Sequence, residues 1–255
     1  MNRYLSVLVL LLIPFILSAE NTIDTIKSKQ KNDVVSVKMR LNSPMIEEDF
    51  ISNITASVGG TNVFDFLASP FVRRKPTIKF KFKNLTKKDT FDVVLTHNTG
   101  KQEQQNFTIH KSRKMSKIHT SKIETKLDNN AVWKASTVDS AIKELYGVSN
   151  IKTKIIKEQI CRFYSSIPIH IKSDTYYKSI SIFQDANPRS AVAIFNIPKN
   201  QIIDYEIFIE MKKDGIITSV FENKDGELFK ELQPVVVSGT ISHLSCHGNQ
   251  LINDM

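Results

Sequence analysis

The chain has 255 residues, with 35 lysines and arginines against 26 acidic residues, for a formal charge of +9. That length supports one large or two small domains around a hydrophobic core. Two cysteines cannot make a disulfide framework, which excludes a small crosslinked scaffold. A lysine excess speaks first to solubility and nonspecific binding, and only then to an anionic partner.

Asn2 and Arg3 precede an almost wholly apolar stretch over residues 5–17, and Ser18 and Ala19 supply small residues before the polar run that begins at Glu20. A charged start, an apolar core of about 7–15 residues and a small residue at the cut describe a secretory signal. Residues 1–19 are therefore expected to be removed, with cleavage after Ala19 or after Ser18. The stretch is shorter than the roughly 20 apolar residues of a spanning helix. No later window approaches that length, and residues 250–255 are polar, so neither a transmembrane tail nor a lipid-anchor signal is expected. The mature protein should be secreted, whether extracellular or within a secretory vesicle or vacuole.

Residues 20–33 are polar and without a clean period, and read as a flexible leader. Residues 34–128 form an expected N-terminal β-rich region. There Val35, Val37, Met39 and Leu41 alternate with polar residues, and Ile78, Phe80 and Phe82 alternate with Lys79, Lys81 and Lys83. Residues 92–95 and 107–110 read as short strands, with a turn at 96–100, and the basic tract 111–126 as an exposed loop. Residues 129–255 are expected to hold a helix and a C-terminal β-meander, either as a second unit or as one domain with the preceding region. The helix signals are a cap at residues 136–139, a stripe of Ala141, Ile142, Leu145 and Tyr146, and a stop at Gly147. Residues 151–163 suit either helix or strand. From Ile167 onward short strands recur, with Asp214-Gly215 and Asp225-Gly226 as hairpin turns. The fold class is mainly β: an antiparallel sheet, sandwich or open barrel with one or two short helices.

Candidate chemistry is sparse. Of the six histidines, only His243 and His247 cluster with Cys246, and the strand-like context gives them no tetrahedral geometry, so no metal site is expected. No nucleophile elbow occurs, Gly59-Gly60 lacks the Lys-Ser/Thr of a phosphate loop, and the acidic residues are scattered. The chain is expected to be neither an enzyme nor a cofactor protein. Asn53, Asn84 and Asn106 open N-glycosylation sequons. Cys161 and Cys246 are candidates for one disulfide in an exported chain. Lys79, Lys81 and Lys83, with Arg73, Arg74 and Lys75 just upstream, are a candidate face for an anionic glycan or lipid; alternatively they only solubilise a half-exposed strand. Nucleic acid is disfavoured, because no aromatic-laced motif accompanies the lysines.

Two stretches carry a resemblance. One runs from Phe107-Thr108-Ile109 through a basic spacer to residues 129–135, which contain the lone tryptophan, Trp133; the other covers residues 205–215 and 221–232. They are similar to the FAINT repeat ("frequently associated in Theileria") of secreted piroplasm proteins. The resemblance implies a small β domain, a parasite effector or surface-associated protein, and contact with host components; it carries no catalytic residues. The expected function is a secreted, noncatalytic binding protein with an unidentified protein or anionic glycan or lipid partner. A secreted enzyme with an unrecognised site, or a structural subunit of a secreted assembly, is the alternative.

Overall fold

The computed structural model describes residues 22–110, 120–124, 131–148, 151–162 and 165–237. The first half contributes β1 (Ile23–Lys31), β2 (Val34–Leu41), β3 (Ile51–Val58), β4 (Thr61–Ala68), β5 (Thr77–Lys83), β6 (Thr90–His97), β7 (Lys101–Thr108) and β8 (Thr120–Glu124). A 3-10 turn (Ala131–Lys134) and the helix α1 (Val138–Tyr146) follow. The second half contributes β9 (Lys152–Ile156), β10 (Ile160–Arg162), β11 (Ser166–Ser173), β12 (Tyr177–Gln184), β13 (Ala191–Asn196), β14 (Ile203–Glu210), β15 (Gly215–Asn223) and β16 (Leu228–Val237).

The fold is mainly β, a sandwich of predominantly antiparallel sheets with one α-helix and no closed barrel among the described residues. One sheet has the order β1-β2-β5-β14-β11; the other runs β10-β16-β15-β12-β13-β4-β3-β6-β7-β8, with β9 also paired to β16. Alternation explains the layering. Val35, Val37 and Met39 of β2 and Ile78, Phe80 and Phe82 of β5 are all buried, facing Ile54, Phe64, Phe66, Val93 and Leu95 of the opposing sheet. Each fully buried side chain of this size contributes about 1.5–3 kcal/mol.

Both sheets run continuously from the first half of the chain into the second. In the smaller sheet β5 pairs with β14, placing Phe80 opposite Tyr205 and Lys79 opposite Glu206. In the larger one β4 pairs with β13, from Ala68 opposite Ala193 to Asp65 opposite Asn196. Aromatic rings fill the space between these two junctions. Phe195 stacks on Tyr205 at 4.9 Å and 7°, Phe64 stacks on Phe80 at 4.1 Å, and Phe64 meets Tyr205 edge-on at 5.5 Å. Burial without a neutralising partner pushes the Tyr205 phenol far above its ordinary pKa.

The helix follows its local signals. Thr137 caps it, its hydroxyl accepting from the Ser140 amide, and Gly147 closes it in the left-handed region at φ 72° with its N–H bonded to the Lys143 carbonyl. Ala141 and Ile142 pack on Phe183, Ile194 and Val220, covering the outer face of the larger sheet.

Several expectations are corrected here. Residues 20–33 are no leader through most of their length: Ile23–Lys31 is a strand hydrogen-bonded to β2. The described part of the 151–163 segment, residues 151–162, holds the strands β9 and β10, both parallel to β16. Asp225-Gly226 does turn a hairpin, between β15 and β16, with Gly226 at φ 84°. Asp214-Gly215 does not, because β14 and β15 belong to different sheets, and the segment is a crossover. For the same reason the second half is not a meander; β11 and β14 pair in one sheet while β12, β13, β15 and β16 pair in the other. A true hairpin turn lies at Gly59-Gly60, whose φ values of 55° and 80° suit a type I′ turn between β3 and β4. The expected signal at 1–19, the tract 111–119 and the cluster of His243, Cys246 and His247 lie outside the described residues.

Candidate functional site

The outer face of the smaller sheet is densely charged. Because Ile78, Phe80 and Phe82 point into the core, Lys79 and Lys81 point outward. The same alternation turns Lys27 and Lys29 of β1, Lys38 of β2, and His170 and Lys172 of β11 to the same side. Together with Asp204 and Glu206 they line a groove of about 530 Å³. Register places these side chains in rows across the strands. Lys27 lies opposite Lys38, Lys38 opposite Lys79, Lys79 opposite Glu206 and Glu206 opposite His170.

The two carboxylates are already engaged. Lys79 Nζ donates to Glu206 at 2.7 Å and Lys81 Nζ to Asp204 at 2.6 Å, while His170 Nε2 lies 3.3 Å from Asp204. Partial burial works to raise the Asp204 carboxyl, but Lys81 and His170 outweigh it and hold the group below its ordinary range. Lys27, Lys29, Lys38 and Lys172 have no ion-pair partner among the described residues.

The expected basic stripe is thus only partly gathered. Lys79 and Lys81 line the groove; Arg73, Arg74, Lys75 and Lys83 do not. Arg73 sits over the Phe208 ring at 5.7 Å, the Arg74 amide faces Glu210, the Lys75 amide donates to the Ser43 carbonyl, and the Lys83 amide donates to Gln201. Local sequence does not gather the groove's other lysines, because Lys27 and Lys29 lie in a segment without an apolar period and strand partners are not a local property. The one available hint was the Lys27-Ser28-Lys29 alternation.

The remaining candidates are scattered. Asn53 donates its amide to Asp65, and Asn106 is exposed and donates to Asp92. Asn84 is buried, with its amide nitrogen bonded to the Lys88 carbonyl, so it presents no acceptor on the folded surface. Cys161, on β10, is half-buried and is not a free thiol; its expected partner Cys246 lies outside the described residues. A smaller cleft of about 220 Å³ opens between the sheets, where Ile169 of β11 faces Tyr177, Phe221 and Glu231. Among the described residues no group of three side chains could hold a metal ion, and no helix is long and apolar enough to cross a membrane.

A mainly β, two-sheet protein with a charged groove on the outer face of its smaller sheet is the class these features define. Residues 23–108 match the family model of the sulphur oxidation protein SoxZ, and residues 146–240 match that of the sulfur oxidation protein SoxY. Each match spans well under half of the chain. No curated protein matches. Among solved structures, the chain is similar to the sulfur carrier protein SoxY from Chlorobium limicola f thiosulfatophilum, at 22% identity over 40% of this chain and 96% of that one, with a TM-score of 0.32.

These matches overturn the FAINT resemblance. Its first stretch begins at the end of the SoxZ-matching segment, and its second lies inside the SoxY-matching segment. The short strand-and-lysine motifs that carried it recur in any basic β protein. The reading as a parasite effector contacting host components falls with it.

Proposed function

We propose that this chain is a noncatalytic, protein-binding component of a sulfur-oxidation system, carrying a SoxZ-like and a SoxY-like unit in one polypeptide. One observation carries the reading: two successive stretches of the same chain match two families of sulfur-oxidation proteins. The fold supports it. The SoxZ-matching stretch holds β1 to β7, the SoxY-matching stretch holds β9 to β16, and the two join through β5–β14 and β4–β13. Export directed by residues 1–19 belongs to the same proposal.

Disrupting the gene in the source organism tests it. Oxygen uptake driven by reduced inorganic sulfur compounds should fall and be restored by the full chain. Undiminished sulfur-dependent respiration in the disrupted strain would overturn the proposal.

A further inference from the structure

The geometry points to the lysine face of the smaller sheet as a docking surface for an acidic protein. Six lysines (Lys27, Lys29, Lys38, Lys79, Lys81 and Lys172) surround one groove whose only carboxylates, Asp204 and Glu206, are held by Lys81 and Lys79. Lys27, Lys38 and Lys79 stand directly opposite one another on three adjacent strands. Like charges so placed repel and work against the sheet. Guarding an edge strand against aggregation accounts for lysines on β1. It does not account for Lys38, because β2 is flanked on both sides, by β1 and β5. A partner that neutralises the row does account for it.

The face also selects the kind of partner. From β1 to β11 it crosses four strand spacings, roughly 19 Å at about 4.8 Å each, which is the scale of a protein surface rather than of one small anion. Lys79 and Lys81 are more than 40% exposed, whereas a small oxyanion is held by desolvated, converging donors such as a backbone nest or an arginine fork. The groove's two apolar residues, Val37 and Phe80, are buried in the core, so neither projects as an anchor to enter a bilayer. Complementary charge of this kind sets encounter rate and orientation. The surface is defined by this chain's own charges, so it stands whether or not the sulfur-oxidation reading holds.

Fluorescence anisotropy of a glutamate-rich peptide, titrated with the full chain at several salt concentrations, tests the surface. The variant Lys27→Gln, Lys29→Gln, Lys38→Gln, Lys172→Gln removes the unpaired lysines. The control Lys134→Gln, Lys143→Gln, Lys213→Gln, Lys224→Gln removes as many exposed charges elsewhere. The face variant should bind roughly tenfold or more weakly, with a shallower salt dependence, while the control stays within about twofold of the parent chain. Equal losses in both variants would reduce the effect to net charge and overturn the proposal. So would displacement of the peptide by sulfate beyond its ionic-strength effect, or preferential binding to phosphatidylserine vesicles. Should the fourfold variant fail to fold, Lys38→Gln alone carries the same comparison, against Lys213→Gln.

Discussion

Lys79 and Glu206 meet at 2.7 Å across the strand pair that joins the SoxZ-matching and SoxY-matching stretches, and directly beneath them Phe80 lies opposite Tyr205. The polar contact marks the junction, but the rings hold it. Lys79 is 43% exposed, so Lys79→Gln should cost no more than about 1 kcal/mol. Phe195→Ala removes a buried ring stacked on Tyr205 and packed on Phe66, and should cost about 3–5 kcal/mol. Urea unfolding of the parent chain should show a single transition by circular dichroism and Trp133 fluorescence. Two separate transitions would mean that the halves are stable apart.

Glu103 makes stability fall in acid. Its burial works to raise the carboxyl, but Lys101 at 2.6 Å, Thr22 and His97 outweigh it and hold the group below the usual range. The unfolded value is about 4.3. A depressed folded value means that its stabilisation is complete above the unfolded value and disappears as pH falls through the folded one. Glu103→Gln should therefore be less stable by about 1 kcal/mol at neutral pH, discounted for the half-exposed Lys101. Its stability should also decline less steeply than the parent's below about pH 4. Parallel pH curves for the two proteins would count against this assignment.

Tyr146 ties the helix to the larger sheet. Its hydroxyl lies 2.7 Å from Ser181 and 3.3 Å from Ser179, which in turn donates to Glu222. Burial raises the phenol's pKa, partly offset by the two serines. Tyr146→Phe strips the fully buried Ser181 of this partner and should cost about 1–3 kcal/mol. Double substitution with Ser181→Ala should recover part of that loss; strictly additive losses would show that the two hydroxyls are not coupled.

Cys161 and Cys246 should be linked to each other. Peptide mapping without reductant should find one crosslinked species joining residues near 161 to the C-terminal region. Removing the bond should lower stability by roughly 2–5 kcal/mol. Alkylation of both cysteines in the native, unreduced chain would refute the pairing.

What could be read from the residue order, and what could not, divides along physical lines. β2 and β5 were readable because one face of each is buried and the other wet, so apolar residues alternate. The helix was readable because Thr137 and Gly147 act within a single turn of it. β1 was not, because after Ile23 none of its side chains is fully buried, and the alternation that survives sets polar Ser28 and Gln30, not apolar residues, between the lysines. The Asp214-Gly215 pair looks like a hairpin turn because turn chemistry is local, whereas the sheet a strand joins is decided by partners far along the chain. Gly215 has a different task there: a side chain would collide with the Asp185 carboxylate, which accepts the Ile216 amide. The basic groove joins Lys27 to Lys172 across five strands, and only register brings them together.

Carrying both matched units on one polypeptide changes how the aromatic junction between them behaves on dilution. On separate chains the halves would come apart as their concentration fell toward the dissociation constant. Tethered, each sees the other at an effective concentration of the order of millimolar, whatever the amount of protein present. Equal numbers of the two units are guaranteed by synthesis, and exchange of either for a copy from another molecule must break both the β5–β14 and the β4–β13 pairings.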